Sequence, residues 1–201
     1  TAIESQNKMT PISLTTSFST TARTSTSTSG GSRSGQNRDT RSSDLPPPVY
    51  FDDLAGYSWA ESAIYDLAER NIIKGTSDRT FSPGEMITRA DLVVILVRAL
   101  DLRASVTQGP FNDVPKSAYY YTSVMVAKEL GIVKGDLKGD FFPEQPVTRE
   151  DIFVIMKRAL ETAKIPLSNR GYDVRRYNDY HTVSDYAKQA VEDLVASGIV
   201  K

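Results

Sequence analysis

Two Thr-Arg pairs hold the residues best suited to chemistry: Thr88 with Arg89, and Thr148 with Arg149, sixty positions apart. Each Thr is followed three residues later by a carboxylate, Asp91 or Asp151, which is the pattern of a capped helix start. A helix N-terminus leaves backbone N–H groups unpaired and carries about +0.5 charge. An Arg at the first helical position adds a planar fork that fits a carboxylate. Together they make an anion site; the plainer alternative is a helix cap beside a solvated Arg. Trp59, Tyr119 and Tyr186 offer flat apolar faces with a polar tip, of the kind a sugar ring lies on. Trp59 could equally fill a core. Asp53, Asp113 and Asp179 could accept ligand hydroxyls, cap the first helix of their unit, or pair with an Arg. Gly75 and Gly135 suit either close backbone approach to a ligand or a turn with φ > 0.

The elements that position these residues repeat. Shifting 51–100 by sixty aligns it without a gap: Phe51 with Phe111, Asp53 with Asp113, Ile72-Ile73-Lys74-Gly75 with Ile132-Val133-Lys134-Gly135, Phe81 and Pro83 with Phe141 and Pro143. A third copy begins at Tyr177-Asn178-Asp179 and reaches Ile199-Val200-Lys201. Each unit reads as helix, loop, helix. Ala60, Ala63, Ile64 and Leu67 form an amphipathic stripe, as do Tyr120, Ser123, Val124 and Ala127, and Ala187, Ala190, Val191 and Leu194. The second helices differ: Leu92–Val97 and Ile152–Met156 are apolar all round, which predicts burial on every face. The economical arrangement packs them together at a centre with the first helices outside.

Composition excludes several classes. The 201 residues carry 24 basic and 25 acidic side chains, one His and no Cys. That rules out a disulfide framework, a thiolate metal site and a cysteine nucleophile, and argues against a His-ligated metal or a His-paired triad. The near-neutral charge argues against nucleic acid as a partner, and no apolar run has the length of a membrane span. There is no nucleophile–base set, repeated carboxylate dyad, phosphate-binding Gly loop or EF-hand spacing, so neither catalysis nor a cofactor is expected. His181 is assigned no role.

The average conceals a boundary. Residues 1–48 hold 21 Ser or Thr and a single aromatic, Phe18. Such a stretch cannot bury enough apolar surface to offset its ordering entropy. It is expected to be a disordered linker closed by Pro46-Pro47-Pro48, either a bare spacer or O-glycosylated. The chain opens on Thr1, with no initiator Met or signal-peptide pattern, as expected of a fragment or processed product.

The repeat unit resembles the S-layer homology (SLH) domain. The residues that carry the resemblance are Phe51-Asp52-Asp53, Trp59-Ala60, Asn71-Ile72-Ile73-Lys74-Gly75, Phe81-Ser82-Pro83 and Ile87-Thr88-Arg89-Ala90-Asp91. It covers about three-quarters of the chain. The resemblance implies an all-α fold of tandem helix-loop-helix repeats in a pseudo-threefold spindle. The units would be the linker at 1–48, repeat one at 49–108, repeat two at 109–172 and a truncated repeat three at 173–201. It also implies an extracellular module at a bacterial cell wall or S-layer. Such a module anchors exported proteins non-covalently to a secondary cell-wall polysaccharide, often bearing a pyruvate ketal, whose carboxylate would meet Arg89 and Arg149. Thr88, Thr148, Asp53, Asp113, Trp59, Tyr119, Gly75 and Gly135 would complete the carbohydrate-binding grooves.

The sequence departs from the family pattern at four places. Asp91 and Asp151 stand where Glu is usual, Glu150 replaces Ala90 and puts an anion beside Arg149, Tyr119 and Tyr186 occupy the Trp59 column, and copy three lacks a Thr-Arg pair. With only two second-type helices, exposed apolar faces are expected to reduce stability or to drive self-association through the incomplete third repeat. The competing functional reading is a cell-surface protein-interaction module with no sugar requirement.

Overall fold

The computed structural model describes residues 50–200, so the expected linker at 1–48 lies outside the described residues. Among the described residues five helices follow one another: α1 (Ser58–Glu69), α2 (Arg89–Ala99), α3 (Tyr121–Glu129), α4 (Arg149–Thr162) and α5 (Asp185–Ala196), with short 3-10 turns at Val174–Arg176 and Tyr180–Thr182. No strand occurs among the described residues, as the all-α expectation requires.

Local chemistry explains the helix-loop-helix unit. Phe51 stacks on Tyr65 and tilts against Phe81 at 5.4 Å, while Phe111 stacks on Phe141 at 5.2 Å. These ring pairs fold each loop back onto the start of its unit. Beside them, Asp53 accepts the N–H groups of Phe81 (2.9 Å) and Ser82 (2.6 Å). Asp113 repeats this with Phe141 (2.8 Å) and Phe142 (2.7 Å). The bonds from the Phe81 and Ser82 N–H groups, the Phe81 bond foremost, hold the Asp53 carboxyl below the usual carboxylate range. Thr88 and Thr148 cap α2 and α4, each accepting the N–H of Asp91 or Asp151 at 3.1 Å. Each cap contributes about 1 kcal/mol. The Asp91 carboxylate accepts the Thr88 hydroxyl at 2.7 Å.

The expected positive φ at Gly75 and Gly135 is not found. One left-handed residue sits instead just past each helix, at Asn71, Asp101, Gly131, Lys164 and Gly198, and others fall in the loops, among them the matched pair Ser82 and Phe142. Those just past a helix stop it, as a left-handed C-terminal residue does. Gly75 and Gly135 are needed for space. A Cβ on Gly75 would lie 2.3 Å from the Thr80 carbonyl oxygen, and one on Gly135 would lie 2.9 Å from that of Asp140.

The helices pack in a repeated order: α2 on α3, α4 on α5, and α2 on α4. The α5 stripe is buried throughout, Leu194 and Ala187 completely, and a buried Leu contributes roughly 1.5–3 kcal/mol. In α1 the stripe shifts: Ile64 and Ala68 are buried while Ala63 is exposed. Helix α1 keeps its own cluster with Phe51, Leu54, Ile72 and Ile73, which reaches α2 through Ile95. The second helices are not buried on every face. Leu92, Val93 and Val94 are buried, but Ile95, Leu96 and Val97 are half-buried, as are Ile152, Phe153 and Met156. The half-buried side chains still pack at the edges of the cores: Ile95 against the α1 cluster, Leu96, Val97 and Ile152 against the central cluster, and Phe153 and Met156 against the α5 cluster.

Candidate functional site

The start of α2 meets the loop of the second repeat, and this junction builds the site. Arg89 donates its N–H to the Gln145 carbonyl and Ala90 donates to that of Pro143, both at 2.9 Å. Val147 returns a bond to the Ile87 carbonyl at 3.1 Å, and Thr88 and Pro146 form an isolated bridge. With the Asp91 N–H on Thr88, the first three N–H groups of α2 are therefore already bonded. The expected backbone contribution to an anion site is absent at this helix, which leaves the arginine side chain.

The Arg89 side chain is 20% exposed. Its guanidinium lies 5.0 Å from the centre of the Phe141 ring, a favourable cation–π placement. One edge lies 3.6 Å from the Asp151 carboxylate and another donates to the Lys134 carbonyl at 3.5 Å. Burial lowers the Arg89 pKa, and the Asp151 charge opposes that shift. Beside it opens a cleft of about 330 Å³, lined by Gly135, Asp140, Phe142, Gln145 and Thr148 among others.

The structure thus brings Arg89, Gly135 and Thr148 together. Asp53 and Gly75 belong to the corresponding loop of the first repeat and do not line this cleft. Asp113 lies behind it, holding the Phe141–Phe142 turn. Arg149 is exposed, its guanidinium 5.5 Å from the Phe153 ring of its own helix. Glu150 accepts the Ser184 N–H at 3.0 Å and so ties α4 to the start of α5.

The aromatic column is solvent-facing: Trp59 is 57%, Tyr119 66% and Tyr186 59% exposed. Core filling is therefore not the role of Trp59. The Tyr119 hydroxyl donates to Asp91 at 2.5 Å and the Tyr186 hydroxyl to Asp151 at 3.2 Å. Burial first, then the Asp91 bond, raises the Tyr119 pKa. Sequence reasoning missed Phe141 as the floor under Arg89 and Asp151 as its ion partner. The repeated Phe81/Phe141 and Asp91/Asp151 columns were visible, but nothing local shows that a residue of one repeat serves the Arg of the preceding one.

Helical repeats that bond successive units through capped Thr-Arg helix starts define a tandem-repeat helical module. The family description "S-layer homology domain" matches residues 50–93 and 110–153. An endoglucanase of Bacillus sp. (strain KSM-635) is 36% identical over 79% of this chain and 16% of its own length. The exoglucanase XynX of Acetivibrio thermocellus is 30% identical over 79% of this chain and 14% of its own. The surface-layer 125 kDa protein of Lysinibacillus sphaericus is 32% identical over 75% and 12%. The chain therefore spans less than a fifth of the length of these relatives.

Residues 50–93 and 110–153 are S-layer homology domain repeats. Such domains are cell-surface anchoring modules, and relatives named as surface-layer and S-layer proteins share these repeats, which places the chain outside the cell, at the wall. No helix among the described residues is long and apolar enough to cross a membrane.

Proposed function

We propose that this module holds its parent protein to the bacterial wall by binding a pyruvylated secondary cell-wall polysaccharide at the Arg89 cleft. The observation that carries this reading is the pose of Arg89. Its guanidinium is floored by Phe141 and touched at two edges by long contacts, which leaves donors for an incoming carboxylate. Backbone and polar groups at Gly135, Gln145 and Thr148 line the space where sugar hydroxyls would lie. Trp59, Tyr119 and Tyr186 present open ring faces. Sedimentation of the chain with purified walls, before and after mild acid removal of pyruvate, tests it. Binding should fall with pyruvate content; undiminished binding to depyruvylated walls overturns the reading.

The organisation proposed with it is a tether at 1–48 followed by repeats at 49–108, 109–172 and 173–201, arranged about a pseudo-threefold axis. The repeated order of α2 on α3 and α4 on α5 supports that arrangement. The half-buried ridge Ile95–Val97 supports a second reading, self-association of the module. Sedimentation velocity over a concentration series tests it, and a monomer throughout overturns it.

A further inference from the structure

We propose that Tyr186, from the third repeat, is a positioning residue for Arg89 of the first: its hydroxyl holds the Asp151 carboxylate, and that carboxylate sets the guanidinium at the cleft. The inference rests on the Arg89 cleft being the anion-binding site. Its geometry is a two-step relay through one carboxylate. Oδ1 of Asp151 accepts the Tyr186 hydroxyl at 3.2 Å, while Oδ2 faces Arg89 Nη1 at 3.6 Å. Three successive repeats thereby meet at one side chain.

The matching carboxylate of the first repeat shows the contrast. Asp91 spends Oδ2 on the Thr88 hydroxyl and Oδ1 on the Tyr119 hydroxyl. Asp151 instead turns one oxygen to an arginine. Carboxylate–guanidinium pairs are frequently two-point and parallel. Such a pair would occupy the donors an anionic ligand needs. Held by Tyr186, Asp151 stays at a longer distance, steering the guanidinium without occupying it. The other charged groups lining the cleft do not replace this restraint: Asp136 accepts the Lys138 and Asp140 N–H groups, and neither it nor Asp140 forms an ion pair with Arg89 among the described residues. Lys134 contributes its carbonyl, and the Arg158 charge opposes that of Arg89. Glu150 is engaged with the Ser184 N–H. The role belongs to the phenol oxygen, because the ring itself is largely in solvent.

The test is Tyr186→Phe in the full chain, which keeps the ring and removes the hydroxyl. One measurement is calorimetric affinity for the methyl glycoside of a pyruvate-ketal hexosamine. The other is the Arg89 Nε–H resonance in ligand-free protein, with the Arg149 resonance as internal reference. The relay predicts about tenfold weaker binding, the scale of one hydrogen bond to a charged group, together with a shifted Arg89 signal and an unmoved Arg149 signal. In an Asp151→Asn background the same change should alter affinity less than about twofold, since coupled residues are not additive. An unmoved Arg89 signal overturns the relay, as does a full additional loss in the Asp151→Asn background. A shifted signal with unchanged affinity overturns its bearing on binding. If the unmodified chain ignores the pyruvylated glycoside while Tyr186→Phe still shifts Arg89, the functional reading fails and the relay stands.

Discussion

Ala90, in the first turn of α2, donates its N–H to the Pro143 carbonyl at 2.9 Å, so one repeat's loop finishes the capping of the previous repeat's helix. Ala90 is fully buried at this junction. Its methyl group is packed in the central core cluster, where a larger side chain must displace neighbours. Ala90→Leu is expected to destabilise the chain by about 1–3 kcal/mol through overpacking. Urea denaturation gives the value, and a change below about 0.5 kcal/mol would show that the junction is loose.

The two loop glycines have different tolerances. A Cβ at Gly75 would stand 2.3 Å from the Thr80 oxygen and 2.6 Å from the Phe51 ring, whereas at Gly135 the nearest atoms are at 2.9 Å. Gly75→Ala should therefore lower the melting temperature more than Gly135→Ala, each costing about 1–3 kcal/mol. Equal or reversed losses by differential scanning calorimetry would contradict this packing account.

Much of the unit was legible because it is local. Thr88 and Thr148 announce their caps within three residues, and the Ala187–Leu194 stripe is buried as its period predicts. The grooves were less legible because they depend on contacts between repeats. The α2 N–H groups looked available until Pro143 and Gln145, more than fifty residues on, were seen to take them. Likewise Glu150 looked like an anion placed against Arg149, but it reaches the Ser184 N–H instead. A period identifies equivalent columns; it does not say which neighbour each column touches.

Asp53 predicts a pH dependence. The bonds it accepts, the Phe81 N–H foremost, lower its pKa in the folded chain. A carboxyl depressed in the folded state adds stability above its unfolded value of about 3.9, and that stability is lost as pH falls through the folded value. Asp53→Asn should lower the melting temperature at pH 7, and the gap to the unchanged chain should narrow below about pH 4. Thermal melts across pH 2–7 decide it, and a gap that stays constant into acid would remove the carboxylate charge from the explanation.

Arg89 and Arg149 occupy the same column but not the same surroundings. Arg89 is held over Phe141 and between Asp151 and the Lys134 carbonyl, whereas Arg149 stands exposed over Phe153 of its own helix. A side chain already restrained loses less entropy when it engages a ligand, and a partly desolvated charge attracts an anion more strongly. Arg89→Ala should therefore weaken binding to pyruvylated polysaccharide by about tenfold or more, and Arg149→Ala by less than about threefold. The Arg149 contribution should also fade faster as salt rises, because exposed charges are screened more than half-buried ones. Titrations of both variants at about 0.05 and 0.5 M salt measure this. Matching losses with matching salt slopes would mean that the exposed helix start binds as well as the enclosed one, and the floor provided by Phe141 would then have no part in recognition.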